Sequence, residues 1–288
     1  MTGLLVVGHG TRDAAGVDGF HALVDLVAQR ADVAVAGGFI ELSRPPLRDA
    51  VAHLVAGGHR HLGVVPLMLV AAGHAKGDVP GALAREVARH PGLTYSYGRP
   101  LGPHPALLDL LDERLSAVVT DAERGDTTVV LVGRGSTDPD ANGEHVKVAR
   151  LLAERGGLGG VEPAFISLAE PGVPAALERA RLLGARRVAV LPYFLFAGVL
   201  PARTAVQAQE WAAAHPEVDV CIADVIGPTP ALADLTITRY HEALHGDIRM
   251  NCDTCVYRVA LPGHAHRVGA AQHPHDHPDD PAHVHGHA

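Results

Sequence analysis

The chain has 288 residues, of which 47% are hydrophobic and 19% charged, close to globular averages, and this length predicts two domains. The formal net charge of −8 argues against a nucleic-acid partner, because phosphate neutralisation needs an excess of Lys and Arg on one face. No apolar run approaches the roughly 20 residues that span a bilayer, and the first apolar run has no basic region before it, so we do not expect a secretory signal. We therefore expect a cytoplasmic protein with no membrane partner.

The first half of the chain alternates short apolar runs with stretches of helical period. The apolar runs cover residues 3–8, 33–40, 62–70 and 93–97, and the helical stretches cover residues 14–30, 45–56, 80–89 and 105–119. The runs are continuous rather than alternating, which is typical of parallel strands buried on both faces. The order βαβαβαβα predicts an α/β fold with a doubly wound parallel sheet.

The second half repeats both the element order and many residues of the first. Residues 5–13 match residues 130–138, and residues 39–42 match residues 165–168. This likeness predicts a tandem duplication into two similar domains.

Domain boundaries follow from this duplication and from composition. We predict an N-terminal domain that carries the functional site and a C-terminal copy, then a cysteine-containing segment and a tail rich in histidine. Their predicted bounds are 1–122, 127–245, 246–262 and 263–288. The tail cannot bury enough apolar surface to fold alone, so we expect it to be disordered.

Three polar residues follow successive predicted strands of the first half: His9, Glu41 and His74. In an open parallel sheet, ligands bind at the carboxyl ends of the strands, so we expect these side chains to converge. Two imidazoles and a carboxylate form a set suited to Co²⁺, Fe²⁺, Ni²⁺ or Zn²⁺. The lack of a thiolate fits a site that passes its metal on rather than holding it.

Each of these residues also has a simpler interpretation. His9 could be a polar loop residue, Glu41 could pair with Arg44, and His74 could cap the next helix. The second copy favours a functional interpretation, because a purely structural role would be free to persist in both copies. At the matching positions the second copy holds Arg134, Ser167 and Val199 or Leu200.

The residues resemble a known family, the class II tetrapyrrole chelatases, in the long two-domain form of the sirohydrochlorin cobaltochelatases and ferrochelatases. The resemblance is carried by residues 7–12, 39–41, 66–69, 73–74 and 78–80. It covers nearly the whole chain and extends to residues 250–255, which look like the cysteine motif of the long cobaltochelatases.

This resemblance implies a lyase-type enzyme that inserts Co²⁺ into sirohydrochlorin for cobalamin biosynthesis. His9 and His74 would deliver the metal and accept pyrrole protons, and Glu41 would be a hard ligand that holds the metal until transfer. A substrate with many carboxylates needs local cations on an acidic protein. Four candidates lie beside the predicted strand ends: Arg12, Arg44, Lys76 and Arg134.

The C-terminal region carries a second set of metal-binding residues. Cys252 and Cys255 have the spacing of a chelate, and the resemblance implies an iron–sulfur centre there. Two thiolates fall short of four ligands, so tail histidines, Cys221 or a second subunit would supply the rest, and a homo-oligomer stays open. Cys221 itself lies in an apolar run and is predicted to be a core residue. The tail histidines are predicted to bind metal loosely, as a reservoir, or else to be merely solvated.

Two other functions stay open at this point. The same reaction with Fe²⁺ would serve siroheme synthesis, since nothing in the three strand-end residues separates the two ions. The long form, the cysteine motif and the histidine-rich tail favour cobalt. A protein of another class would store or deliver metal through the tail, with the duplicated domains as a scaffold.

Overall fold

A computed structural model describes residues 1–246 and 265–269. Within these residues the strands form two four-stranded sheets, in which every pairing is parallel. The strands are β1 (Thr2–Gly8), β2 (Ala34–Phe39), β3 (His61–Pro66), β4 (Thr94–Tyr97), β5 (Thr127–Gly133), β6 (Gly160–Phe165), β7 (Arg187–Pro192) and β8 (Asp219–Ile222). The orders are β2-β1-β3-β4 and β6-β5-β7-β8, which confirms the predicted duplicated α/β fold.

Helices connect these strands in the described part of the chain. They are α1 (Ala14–Arg30), α2 (Leu47–Ala56), α3 (Val79–Arg89), α4 (Pro105–Ser116), α5 (Asp121–Arg124), α6 (Pro139–Glu154), α7 (Val173–Leu182), α8 (Val199–Ala214) and α9 (Pro230–His245). Matching caps begin the matching helices α1 and α6, where Asp13 accepts from the Ala15 and Gly16 N–H groups and Asp138 accepts from Asp140 N–H.

Three local features differ from the predicted elements. The third apolar run is a strand only as far as Pro66, and the chain then forms a loop and a π-helical turn, His74–Asp78, before α3. Helix α2 begins at Leu47 rather than residue 45, with Pro46 in extended conformation at its N-cap. The polar segment that connects the two halves contains the short helix α5. A capping box between Thr120 and Glu123 caps the N-terminus of this helix.

The cores lie around the central strands of the two sheets. Leu5 and Val7 of β1 are completely buried, as are Val130 and Val132 of β5. Burial of each such side chain contributes about 1.5–3 kcal/mol. Burial is unbroken from Gly3 to Gly8 and from Val129 to Gly133, so the central strands are covered on both faces, whereas the edge strands β4 and β8 are only partly buried.

The compact units of the structure differ from the two halves of the sequence. One unit comprises Met1–Gly102 and the described residues from Pro228 onward, and the other comprises Pro103–Gly227. Helix α4 therefore belongs with the sheet of β5–β8, and helix α9 with the sheet of β1–β4. The segments 1–122 and 127–245 stay a prediction from the repeated sequence, and packing groups the last helix of each half with the other sheet.

Two arginines that match in the duplication hold α9 and α4 against loops of the sheets that these helices cover. Arg239 of α9 is completely buried and donates to the Pro100 and Leu101 carbonyls at 3.0 and 2.6 Å. Arg114 of α4 donates twice to the Ile226 carbonyl, at 3.2 and 2.8 Å. Ile226 matches Leu101 in the duplication, so each arginine binds the corresponding loop.

Much of the C-terminal region lies outside the described residues. This holds for Cys252 and Cys255, and for the tail predicted at 263–288 except residues 265–269. Ala265–Arg267 form one 3₁₀ turn. Among the described residues, no helix combines the length and apolar character that crossing a bilayer requires.

Candidate metal site

The loops that follow β1 and β2 run side by side at the carboxyl edge of the first sheet. His9 follows β1 directly, and its carbonyl accepts a hydrogen bond from Glu41 N–H at 3.1 Å. Gly10 has φ 103°, and a Cβ at this position would overlap the Glu41 carbonyl, so the close approach of the loops requires glycine. The backbone thus fixes the positions from which two of the predicted ligands project.

Ser43 joins the same two loops through its buried hydroxyl. The Thr11 N–H donates to Ser43 Oγ at 2.9 Å, and the hydroxyl donates to the Thr11 carbonyl at 2.7 Å. This residue was missing from the sequence prediction. Its only sequence signal is its position two residues after Glu41.

The π-helical turn positions His74. The turn brings Asp78 beside it, and His74 Nδ1 lies 2.6 Å from Asp78 Oδ2. With Nδ1 against the carboxylate, Nε2 is the ring nitrogen that we expect to bind a metal. The sequence prediction gives Asp78 no role in the site, and its i,i+4 spacing from His74 is the signal that indicates this contact.

Tyr97 of β4 holds the turn from the neighbouring strand. Its hydroxyl donates to the Ala75 carbonyl at 2.7 Å. Burial raises the pKa of Tyr97 far above its usual value, so the phenol keeps the proton that makes this bond. Tyr97 was also missing from the sequence prediction.

The structure brings His9, Glu41 and His74 together, as the sequence predicted. One ligand atom from each lies within 4.8 Å of the others. His9 Nε2 is 3.3 Å from Glu41 Oε1, and the two imidazole rings meet edge to face with centroids 4.3 Å apart. Bonds of about 2.0–2.2 Å at tetrahedral angles would place ligand atoms about 3.3–3.6 Å apart, so a small contraction suffices to bind one ion.

Burial of the carboxylate makes this arrangement favourable for a cation. The Glu41 side chain is only 6% exposed, whereas the side chain of His9 is 27% exposed. A buried carboxylate is costly unless a positive charge or hydrogen bonds compensate it. The partly open histidine side leaves a path by which an ion can arrive and leave.

A family model described as CbiX matches residues 3–118 and, a second time, residues 128–243. The chain belongs to the CbiX family. It is a class II chelatase, an enzyme, and the two matches correspond to the two halves of the duplication.

Known CbiX relatives include enzymes named for two different metals. The chain is 36% identical over 268 residues to the sirohydrochlorin cobaltochelatase of Priestia megaterium, covering 92% of this chain and 87% of that protein. It is 32% identical over 201 residues to the sirohydrochlorin ferrochelatase of Priestia megaterium, covering 69% of this chain and 75% of the relative. The solved structure of SirB from Bacillus subtilis with Fe³⁺ matches with a TM-score of 0.74 and 29% identity, covering 85% of this chain and 97% of SirB.

The predicted cations are distributed over both CbiX repeats. Arg12 and Arg44 are exposed on the loops after β1 and β2, and Lys76 lies in the π-helical turn between His74 and Asp78. Arg134 is exposed after β5 in the other compact unit. The structure therefore places three of the four cations on the loops that carry the site.

The second CbiX repeat keeps the loop geometry but has different side chains. Gly135 again has positive φ, and a Cβ there would overlap the Ser167 carbonyl, as at Gly10. Helix α8 begins at Val199, where the first repeat forms its π-helical turn. Among the described residues, the His9, Glu41 and His74 set is the one group of three or more metal-binding side chains close enough to share an ion.

Of the three cysteines, Cys221 alone lies among the described residues. Cys221 lies half-buried on β8, an edge strand, and not in the core that the sequence predicted. Burial raises the pKa of its thiol, which disfavours the thiolate that binds metal. Cys252 and Cys255 lie outside the described residues, so the iron–sulfur centre stays a prediction.

Proposed function

We propose that this protein is a sirohydrochlorin cobaltochelatase, which inserts Co²⁺ into sirohydrochlorin with His9, Glu41 and His74 as the metal-transfer site. One observation carries the proposal. Three side chains from three separate loops converge to within 4.8 Å, and one of them is a buried carboxylate. We take sirohydrochlorin as the substrate because the relatives are named for it.

The reaction exchanges a metal ion for two protons. Four macrocycle nitrogens bind Co²⁺ while its bonds to His9, His74 and Glu41 break, and two pyrrole N–H groups each lose a proton. The Nε2 atoms of the two histidines lose the metal at that moment and can accept those protons. Glu41 keeps the negative charge that retains the ion until the macrocycle binds it.

Binding of the macrocycle would depend on its carboxylates. Arg12 and Arg44 are exposed on the two loops of the site, and Lys76 lies beside His74. The protein has a formal net charge of −8, so a polyanion needs such local positive charge. Arg134 is assigned to the same role from the second repeat.

Cobalt is preferred for reasons that lie outside the three ligands. The named cobaltochelatase aligns with 92% of this chain and the named ferrochelatase of the same organism with 69%. The cysteine pair and the histidine-rich tail belong to the same long form. Insertion of Fe²⁺ remains the second candidate, because imidazole and carboxylate ligands suit both ions.

An absorbance assay with matched histidine variants tests the proposal. Purified protein, sirohydrochlorin and Co²⁺ are mixed, and the spectral change of the macrocycle is followed for wild type, H9A, H74A and H53A. We expect the two site variants to lose the protein-dependent rate. The exposed His53 of α2 is the control, and its variant should keep the rate.

The same assay separates the alternatives. The ratio of Co²⁺ to Fe²⁺ rates under reducing conditions decides between the two metals. A wild-type rate equal to that of H9A and H74A would overturn the enzyme proposal. Metal binding by the tail without any spectral change of sirohydrochlorin would favour the storage or delivery protein.

A further inference from the structure

The end of helix α9 carries a metal-binding motif that is separate from the site described above. Residues 241–245 read His-Glu-Ala-Leu-His. In this pattern, two histidines one turn apart lie on the same face of a helix, where they can bind one metal ion. The same pattern occurs in zinc hydrolases, in which Glu242 would be the general base.

The contacts of Glu242 exclude the hydrolase interpretation. Its carboxylate accepts two hydrogen bonds from Arg99, at 2.9 and 3.0 Å, and two from Arg239, both at 2.9 Å. These bonds, first of all those from Arg99, hold the pKa of Glu242 below its usual range. Its oxygens are therefore committed to holding α9 in place and cannot activate a water.

The two histidines are differently placed. His241 and His245 are both exposed, and their rings lie nearly parallel, with centroids 6.2 Å apart and planes at 14°. Metal–nitrogen bonds are about 2.0–2.1 Å long, so modest rotation of two exposed side chains brings one nitrogen of each onto a common ion. The pair needs no movement of the helix backbone.

Two further observations favour a cation at this position. His245 is the last residue of α9, followed by Gly246 with φ 73°, and the final carbonyls of a helix carry partial negative charge. The matching positions of the first repeat are Ser116 and Thr120. The histidine pair is thus a property of the second repeat and not of the shared fold.

We infer that His241 and His245 form a second metal site, which binds a divalent transition-metal cation such as Co²⁺, Ni²⁺ or Zn²⁺. Imidazole ligands select ions of this class. Two protein ligands leave the remaining positions to water, so the site exchanges its metal readily. The chain leads from this site directly into the segment with Cys252 and Cys255.

A histidine footprint on the full chain tests the site despite the many tail histidines. The protein is treated with a histidine-acylating reagent, with and without Ni²⁺ or Co²⁺ in excess over all histidines. Trypsin then releases residues 240–249, which contain His241 and His245 and no tail histidine. We expect metal to slow acylation of both residues several-fold.

Two single variants and a control histidine test whether both residues bind the same ion. In H241A the protection of His245 should disappear, and in H245A that of His241. His53, an exposed helical histidine with Asp49 and Gly57 at the i−4 and i+4 positions, should show no metal effect. Equal reactivity with and without metal, or protection of His245 that survives in H241A, would overturn the inference. Because the assay contains no sirohydrochlorin, its result is independent of the proposed chelatase activity.

Discussion

Each histidine of the CbiX site has a neighbouring oxygen close to its Nδ1 atom. For His9 this oxygen is the Gly10 carbonyl, which accepts from Nδ1 at 3.0 Å, and for His74 it is a carboxylate oxygen of Asp78, in contact at 2.6 Å. Such outer contacts select the tautomer, fix the ring plane and raise the basicity of the nitrogen that faces the metal. Asp78 is therefore a positioning residue for the metal-transfer site.

Replacing Asp78 with asparagine should weaken the use of metal without affecting the macrocycle. An uncharged amide in place of the carboxylate does not raise the basicity of the ring, so kcat/KM for Co²⁺ should fall about 10–100-fold. Steady-state kinetics with varied Co²⁺ and varied sirohydrochlorin measure this, and KM for sirohydrochlorin should stay unchanged. The exposed Asp18 of α1 gives the control variant D18N. A fall in D78N no larger than in D18N would remove Asp78 from the account.

Another histidine, His145, does not belong to the metal site but affects how the stability of the protein depends on pH. It occupies the place in the second repeat that Phe20 has in the first, against Gly133 instead of Gly8. Burial lowers the pKa of His145 to about 4, despite contacts of Nε2 with the Leu131 and Ala164 carbonyls. The ring of His145 is therefore neutral in the native protein at pH values at which the same ring is protonated in the unfolded chain.

The H145F variant should flatten the dependence of stability on pH. Below the unfolded pKa of about 6.5, the unfolded state of wild type binds a proton that the native state excludes, so stability falls as the pH falls towards 4. The loss approaches about 3 kcal/mol at the low end, and phenylalanine removes it. Urea unfolding from pH 7 to pH 4 measures the difference between the two proteins. Parallel pH profiles would show that His145 titrates normally.

At the scale of elements, the packing of α9 on the first sheet depends on one glycine. A Cβ on Gly63 of β3 would overlap the ring of Tyr240, which lies across the strand. The matching residue of the second repeat is Ala189, which is completely buried. The strand can therefore carry a side chain at this position in one sheet but not in the other.

The G63A variant should be destabilised because the ring of Tyr240 must move. Overpacking of this kind costs about 1–3 kcal/mol, and the midpoint of urea unfolding measures it. Gly143, which lies inside α6 with nothing within 4 Å of an added Cβ, is the control. The G143A variant should be neutral or more stable by up to about 1 kcal/mol. Equal effects of the two substitutions would contradict the close packing of α9 on β3.

At the scale of the whole molecule, the exchange of the last helices makes each repeat depend on the other for its fold. Helix α9 contributes Arg239 and Tyr240 to the first sheet, and both side chains are buried. A chain cut after residue 122 lacks α9 but keeps α4, whose Arg114 matches Arg239. In a second copy of the fragment, α4 can then cover the surface of the first sheet that α9 covers in the full chain.

The fragment of residues 1–122 should accordingly form a homodimer. We expect light scattering after size exclusion to give twice the fragment mass, and the R114A fragment to be shifted towards monomer or aggregate. The same R114A substitution in the full chain should not change its mass. A stable monomeric fragment would contradict the account of the exchange.

Much of the architecture follows from the sequence, because buried parallel strands leave continuous apolar runs. The residues around His9 and Glu41 were placed correctly, since each directly follows such a run. The helix exchange could not be predicted, because α4 and α9 carry equivalent arginines and periodicity does not say which sheet a helix covers. The π-helical turn at His74 also escaped prediction, since the run 62–70 continues past the end of β3 with no polar residue to mark the boundary.

Locating a bound cobalt ion is the sharpest test of the proposed metal-transfer site. Crystals grown with Co²⁺ and measured at the cobalt absorption edge give an anomalous difference map that locates the ion. We predict a peak about 2.0–2.2 Å from His9 Nε2, His74 Nε2 and a Glu41 oxygen, as expected for nitrogen and oxygen ligands. Cobalt bound only elsewhere on the protein, with these three side chains free of metal, would contradict the account.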